Sequence, residues 1–513
     1  MHKGILNRAC AVLALAPFAG AVHAAPSCAD MTRFLAGKAT EVVCFHTDDL
    51  LTANKQTTNP ITPTDNSILH FADGSALPGF GLPPSVPPGG FGFTPMTDRA
   101  TISNGPVASD HAVPGIQVEG WYADDPTKQA RFLLRFPDDW NGKLVVAGAS
   151  GTRSEFNGDY AWSDYVLLKG YAYASQNKGV LNFYTPLAQA ADPLACRLNP
   201  TSGFYVHFYD NDPAKPFTQW TQYMLQTAQL AQSALKATYN TYPSKTYAVG
   251  TSNGGYQVRR AIEEAPNLFD GGVDWEGTYI NPTENILVDL PAAVKNFPAY
   301  VQSGYDGTSA AAKAIVDAGY PPDIVKRDAQ GNFVDSLWKH YSDSYWELTA
   351  CQWQKRFDPG YGTYSQGVAN YNLGSRLDQP GVFDALSAVT TTGKIKKPLI
   401  TVAGTMDALL PIKHQARAYE DAVNESRNGN NDHRNAQYRL YEVQNGNHIE
   451  SYINVFSQLR VIQPYAQQAF DLLVEHVEHN VALPPSQCIP LDAPSISPSP
   501  AQPGNCADLF VKP

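Results

Sequence analysis

Basic residues are the minority charge in this 513-residue chain: 37 Lys and Arg stand against 48 Asp and Glu, a formal net charge of −11. A chain of that sign repels phosphate backbones, which argues against a nucleic-acid partner. Long apolar runs are scarce too. Beyond the first 25 residues no stretch approaches the roughly 18 apolar residues that a bilayer span requires, so no membrane anchor or membrane partner is expected. Cysteine is sparse, with seven residues. None forms a CxxC pair or stands near a histidine pair, so no zinc pattern is present. The chain also lacks a dinucleotide fingerprint and an internal repeat, and neither cofactor nor metal is expected.

What is present begins with an export signal. Lys3 and Arg8 precede an apolar run from Ala9 to Val22, and Val22-His23-Ala24 offers a small-residue cleavage site. Residues 1–25 are therefore expected to be a signal peptide and the protein to be secreted or periplasmic. Its removal takes Cys10 away and leaves Cys28, Cys44, Cys196, Cys351, Cys488 and Cys506. An even number in an exported chain favours disulfides. Cys28–Cys44 and Cys488–Cys506 are expected as local staples, with Cys196–Cys351 joining the core to an insertion.

The order of the chain predicts an α/β fold. Residues 26–119 form an N-terminal extension rich in Pro and Gly, expected to pack on the core, with Asp48-Asp49 capping a short helix from Leu50. From about Gly115 strand and helix patterns alternate. Strands are expected at 130–136, 143–147, 171–175, 247–249, 398–402 and 438–443, and helices at 221–239, 257–265 and 463–480. Such alternation implies a largely parallel sheet covered by helices on both faces. The core is expected in two parts, 120–280 and 396–483. Between them, 281–395 is rich in Trp and Tyr and is expected to form a lid insertion. Residues 484–513 are Pro-rich and read as an extended C-terminal wrap.

The sharpest local signal is Gly250-Thr251-Ser252-Asn253-Gly254, a G-x-S-x-G set between an apolar strand and a helix. That context is the nucleophile elbow of the α/β-hydrolase fold, where small residues let the chain turn sharply and expose a serine. A serine alcohol needs a base, and in this fold the acid and then the histidine follow it in the chain. His448 lies in the loop Gln444-Asn445-Gly446-Asn447-His448 after a late strand, where the base is expected. His340 comes too early, His476 and His479 lie on the last helix, His433 lies in a polar run, and His414 reads as a surface or supporting residue. Asp407, just past the strand 398–402, is the expected acid; Asp384, Glu420 and Asp421 are less well placed. The oxyanion donors are expected from the Asn253 N–H and from Ser150 or Gly151 in the small-residue loop 148–152. Asp274, Trp275 and Glu276, ending the next strand, are candidates to line the substrate pocket.

These motifs resemble the D-3-hydroxybutyrate oligomer hydrolase family, secreted esterases that cleave short oligomers left by polyhydroxybutyrate breakdown. The resemblance rests on 47–53, on Val145 to Gly151 with Lys178-Gly179, on the helix from Trp220 to Leu235, and on Val249 to Gly255. It spans most of 40–260 and is less clear after the elbow. The chain is similar, more weakly, to the tannase and feruloyl esterase family through Trp140-Asn141-Gly142-Lys143, 170–175 and Phe269-Asp270-Gly271-Gly272. Tannases join a cysteine beside the serine to one beside the histidine, whereas Thr251 and Asn447 or Ile449 stand there here. The resemblance implies a serine esterase that acts through an acyl-enzyme on a small ester or oligoester, most of all 3-hydroxybutyrate oligomers. Aromatic esters of the tannase or feruloyl type are the alternative substrates. An inactive ligand-binding homologue is the alternative outside enzymes. Oligomeric state is left open.

Overall fold

The structure is a computed structural model. It describes residues 26–51, 111–126, 129–151, 155, 162–179, 183–185, 194–202, 205–207, 216–428 and 437–513. The expected signal peptide, most of the Pro/Gly-rich extension and His433 lie outside the described residues.

Fifteen strands are described. In chain order they are β1 (Ala39–Thr47), β2 (Gly115–Tyr122), β3 (Arg131–Pro137), β4 (Lys143–Gly148), β5 (Ala172–Gln176), β6 (Phe183–Thr185), β7 (Cys196–Arg197), β8 (Tyr205–His207), β9 (Lys245–Thr251), β10 (Gly271–Trp275), β11 (Val325–Arg327), β12 (Phe333–Ser336), β13 (Leu399–Gly404), β14 (Tyr438–Val443) and β15 (Gln487–Ile489). Ten of them make one sheet in the order β1-β2-β3-β5-β4-β9-β10-β13-β14-β15. The pairs from β5 through β4, β9, β10, β13 and β14 to β15 are parallel, and β1, β2 and β3 complete the sheet antiparallel at one edge. This is an α/β-hydrolase fold, with β9 carrying the elbow into the helix Asn253–Glu264.

The parallel strands are apolar on both faces because both are covered. Leu144 and Val146 of β4 enter the core beneath the helices Thr218–Tyr239 and Asn253–Glu264, with Ala248, Leu399 and Leu440. Their neighbours Val145 and Ala147 point to the other face, where Val249, Val402 and Val443 meet Phe470 and Leu473 of the helix Gln463–His479. A third core lies over one end of the sheet. There Leu287, Leu290, Trp338, Trp346 and Trp353 from residues 281–395 pack with Tyr256 of the elbow helix, with Met406 and Leu409 after β13, and with Phe456.

The two edges were the hardest to read from sequence. The β1 and β2 segments carry Thr, Glu, Gln and His among their apolar residues, which weakens the strand signal until the partner strand is known. Asp48-Asp49 leads into a turn at Leu50-Leu51, where Asp49 Oδ1 accepts from the N–H of Leu51 and that of Val113, 3.0 and 3.2 Å away, and the rest of the expected helix lies outside the described residues. The C-terminal segment is more than a wrap, because β15 adds a parallel strand beside β14. All three expected disulfides form, Cys28–Cys44, Cys196–Cys351 and Cys488–Cys506. Among the described residues no helix is long and apolar enough to cross a membrane.

The tail also fastens the loop that carries His448. Asn445 is wholly buried and stands at φ 60°, a left-handed conformation that Asn tolerates better than most residues. Its Nδ2 donates to the carbonyls of Gln458 and Val511 at 2.9 and 2.7 Å, and its Oδ1 accepts the Val511 N–H at 2.9 Å. Asn445→Ala should therefore cost about 3 kcal/mol from lost hydrogen bonds and backbone strain. Asn445→Gly should cost less, because it removes the strain. Denaturant unfolding checks both, and an Asn445→Ala protein within about 0.5 kcal/mol of the parent would show that the tail does not hold this loop.

Candidate active site

The elbow is built by close backbone approach. Ser252 stands at φ 60°, ψ −124°, a region that costs a non-glycine residue on the order of 1–3 kcal/mol and persists only where the surroundings fix it. Its N–H donates to the Trp275 carbonyl at 2.9 Å, and its carbonyl accepts from Tyr256 N at 3.1 Å. A Cβ on Gly250 would lie 2.3 Å from the Gly254 carbonyl oxygen, and one on Gly254 would lie 2.6 Å from that of Gly148. Both positions are therefore closed to any side chain.

Three strand ends bring three side chains together. Ser252 follows β9, Asp407 follows β13 and His448 follows β14. His448 Nε2 is 3.1 Å from Ser252 Oγ, and His448 Nδ1 is 2.8 Å from Asp407 Oδ2. The other Asp407 oxygen accepts the N–H groups of Leu409 and Leu410 at 2.8 and 2.7 Å. Those two amides fix the plane of the carboxyl group, so Oδ2 faces the imidazole. Ser252 and Asp407 are 7% and 2% exposed, which keeps the relay in a medium where its electrostatics count.

The oxyanion candidates sit against the elbow. Asn253 opens its helix, so its N–H has no intrahelical acceptor and lies at the positive end of the helix dipole. The loop after β4 abuts Gly254, and the Ala149 N–H donates to Gln257 of the elbow helix at 2.8 Å. Sequence reasoning missed the residue that orders this loop. Lys178 is buried, and its Nζ donates to the carbonyls of Ser150 and Gly151 at 2.7 and 2.5 Å while lying 4.5 Å from the centre of the Trp220 ring. Because a trans peptide sets N–H opposite C=O, holding the Ser150 carbonyl turns the Gly151 N–H away from Lys178. The available signal was a lysine just past the apolar strand 171–175, a place where a free charge would be costly.

Asp274 and Trp275, the last two residues of β10, point to opposite faces as neighbours in a strand do, and Glu276 follows the strand with its backbone at φ 52°. Asp274 is not a pocket residue: it is fully buried beneath the elbow helix, 2.6 Å from Arg259 Nε and 2.8 Å from Thr401 Oγ1. Trp275 is also interior, edge-on to Trp162. Only Glu276 turns to the site, with Oε2 3.5 Å from His448 Nδ1. Glu276, Asp407 and His448 each bring one donor atom within 4.8 Å of the others. His448 Nδ1 already bonds to Asp407, so a cation there would compete with that hydrogen bond. Three other histidine candidates among the described residues are engaged elsewhere. His340 pairs with Asp335, His414 with Glu284 and the Ala318 carbonyl, and His476 with the Val481 carbonyl.

The family model for 3HB-oligomer hydrolases matches residues 369–509, the stretch that contains Asp407 and His448. The region after the elbow thus carries more of the resemblance than its sequence alone suggested. A D-(-)-3-hydroxybutyrate oligomer hydrolase of Burkholderia thailandensis is 34% identical over 116 residues, 22% of this chain and 16% of that relative. Its Burkholderia mallei counterpart matches with the same identity and coverage. The matched stretch is thus a small part of those proteins. Among solved structures, feruloyl esterase B from Aspergillus oryzae aligns with 75% of this chain and 84% of its own at 14% identity and a TM-score of 0.44. Tannin acyl hydrolase from Aspergillus niger covers 72% and 80% at 13% identity and a TM-score of 0.42.

The glycine packing gives a direct test. Gly254→Ala should destabilise the fold by about 1–3 kcal/mol, because the new methyl meets backbone that cannot step aside. Gly151→Ala should be tolerated, since a Cβ there meets nothing within 4 Å among the described residues. Thermal unfolding of the two variants checks this, and equal midpoints would contradict the close approach.

Proposed function

We propose that this chain is an exported serine ester hydrolase with Ser252 as nucleophile, His448 as general base and Asp407 as its orienting acid. The observation that carries the reading is the hydrogen-bonded relay from Ser252 Oγ through His448 to Asp407 at 3.1 and 2.8 Å. In the proposed reaction His448 Nε2 takes the Ser252 proton as Oγ attacks the ester carbonyl carbon. Asp407 stabilises the imidazolium that results. The tetrahedral oxyanion takes hydrogen bonds from the Asn253 N–H and from the 150–151 loop held by Lys178. Collapse breaks the ester C–O bond, and His448 returns its proton to the departing alkoxide. A water molecule, deprotonated by His448, then attacks the acyl-enzyme, releasing the acid and restoring Ser252. Export is supported by the three disulfides.

The substrate we favour is a soluble aliphatic hydroxy-ester oligomer of the 3-hydroxybutyrate type. The sequence match over residues 369–509 supports it. The aromatics of 281–395 include Trp338, Trp346 and Trp353, which are each 1% exposed and packed in the third core. They are therefore committed to holding that segment together and are not free to stack an aromatic acyl group. In place of the tannase-type cysteine beside the histidine stands Asn447, whose Oδ1 accepts from Tyr341 OH at 2.9 Å.

Ser252→Ala should lower ester turnover by about 10⁴-fold or more while leaving the unfolding midpoint near that of the parent. Retention of near-native turnover would remove Ser252 from the mechanism. Substrate preference is read from kcat/KM on 3-hydroxybutyrate dimer and trimer against methyl gallate and methyl ferulate. The expected gap is roughly a hundredfold or more in favour of the oligomers, more than one or two lost apolar contacts give. A gap of that size toward the aromatic esters would move the protein to the tannase side.

A further inference from the structure

Two buried carboxyl groups converge on one imidazole nitrogen. Asp407 Oδ2 lies 2.8 Å from His448 Nδ1, and Glu276 Oε2 lies 3.5 Å from the same atom on another side. Glu276 reaches this position through a backbone at φ 52°, with its N–H donating to the Val402 carbonyl at 2.8 Å. Its Oε1 accepts the Gly404 N–H at 3.0 Å, so the carboxyl is anchored between the ends of β10 and β13. Its Oε2 is buried and has no hydrogen-bond partner at bonding distance among the described residues. A buried carboxylate oxygen with no donor is costly, whereas a buried carboxylic O–H beside an acceptor is far less so.

The surroundings decide which carboxyl carries the charge. Asp407 has two amide donors on Oδ1 and the imidazole on Oδ2. Glu276 has one amide on Oε1, and the Trp275 indole beside it also favours its charged form. Burial first, then the Asp407 charge, then that of Glu450 hold the Glu276 carboxyl well above the ordinary carboxylate range. The hydroxyl of Tyr341, from the helix Leu337–Ser344, also faces this cluster and is engaged with Asn447. The like charge of Asp407 adds to burial in favouring the protonated form of Glu276.

We propose that Glu276 is a reserve orienting acid for His448, neutral beside the Asp407 carboxylate and able, once ionised, to accept the Nδ1–H hydrogen bond when the Asp407 charge is gone. Glu276 is thus a positioning residue that acts on the reaction through His448. This inference rests on the serine-esterase reading but goes beyond it, since an Asp407–His448 pair alone would suffice for that reaction. With Asp407 replaced by Asn, the repulsion that keeps Glu276 neutral disappears. Glu276 then loses its proton to solvent, and Oε2 needs to close only a short distance to accept from Nδ1.

The experiment is a double-mutant cycle of Glu276→Gln and Asp407→Asn, with kcat and KM followed across pH. Glutamine keeps an oxygen for the Gly404 amide, so the anchor survives. Adding Glu276→Gln to Asp407→Asn should cost at least about tenfold more in kcat than adding it to the parent. The Asp407→Asn enzyme should gain kcat with rising pH through an ionisation that the double variant lacks, with KM little changed. Equal costs in the two backgrounds would overturn the proposal, as would a Glu276→Gln loss as large as that of Asp407→Asn. If the double variant does not fold, Asp407→Asn alone decides: a low-field imidazole N–H proton in its NMR spectrum that grows in as pH rises is expected. Absence of that signal at every pH overturns the proposal. Failure of the esterase reading itself would show separately, as full turnover in Ser252→Ala.

Discussion

The backbone of Ser252 is held where a serine would not stand by choice, and the rest of the site follows from what holds it there. At φ 60°, ψ −124° the residue gives up on the order of 1–3 kcal/mol. It stays because β9 is gripped on both sides by parallel neighbours, and because the chain on either side can approach other backbone within contact distance. Gly250 and Gly254 supply that approach, and Gly148 meets Gly254 from the adjacent β4. The same contact that permits the turn brings the loop after β4 against the first turn of the elbow helix. Sharp turn and oxyanion loop are thus one packing event.

Charge is distributed around this turn in a fixed pattern. Beneath the helix, Arg259 and Asp274 form an ion pair with both side chains fully buried. Such a pair is costly to bury but more costly to break, so it resists substitution without adding much net stability. Above the sheet, Lys178 is buried against the carbonyls of Ser150 and Gly151. Around the histidine, negative charge is in excess, and amide donors decide where it rests: two on Asp407, one on Glu276. The tail contributes through Asn445 and Thr405, which tie the loops after β14 and β13 to Val511 and Leu509. A remote segment therefore sets how firmly His448 and Asp407 are held.

The centre of the molecule was legible in sequence because its strands are apolar on both faces and its helices have one apolar stripe. The segments 143–147, 247–249 and 438–443 lie within β4, β9 and β14, and the serine, acid and histidine candidates stand where the chain order put them. The edges were not legible, since β1 and β15 depend on a partner strand to become strands at all. Long-range pairings were equally hidden. Nothing local in Asp274-Trp275-Glu276 says that the first binds Arg259, the second packs on Trp162 and only the third turns to His448. The aromatic richness of 281–395 left the role of its rings open, and Trp338, Trp346 and Trp353 are core, because composition does not distinguish a ring that stacks on a ligand from one that stacks on its neighbours.

The central claim is that Ser252 is made nucleophilic by its relay to His448 and Asp407. A fluorophosphonate probe reacts with an activated serine and not with an ordinary one. Incubating the parent with the probe, digesting it and locating the mass addition tests the claim directly. The account predicts one addition per chain, on the peptide containing Ser252, and its loss in His448→Ala although Ser252 is still present. An enzyme that hydrolyses esters yet carries no label on Ser252, or labels Ser252 equally without His448, would contradict it.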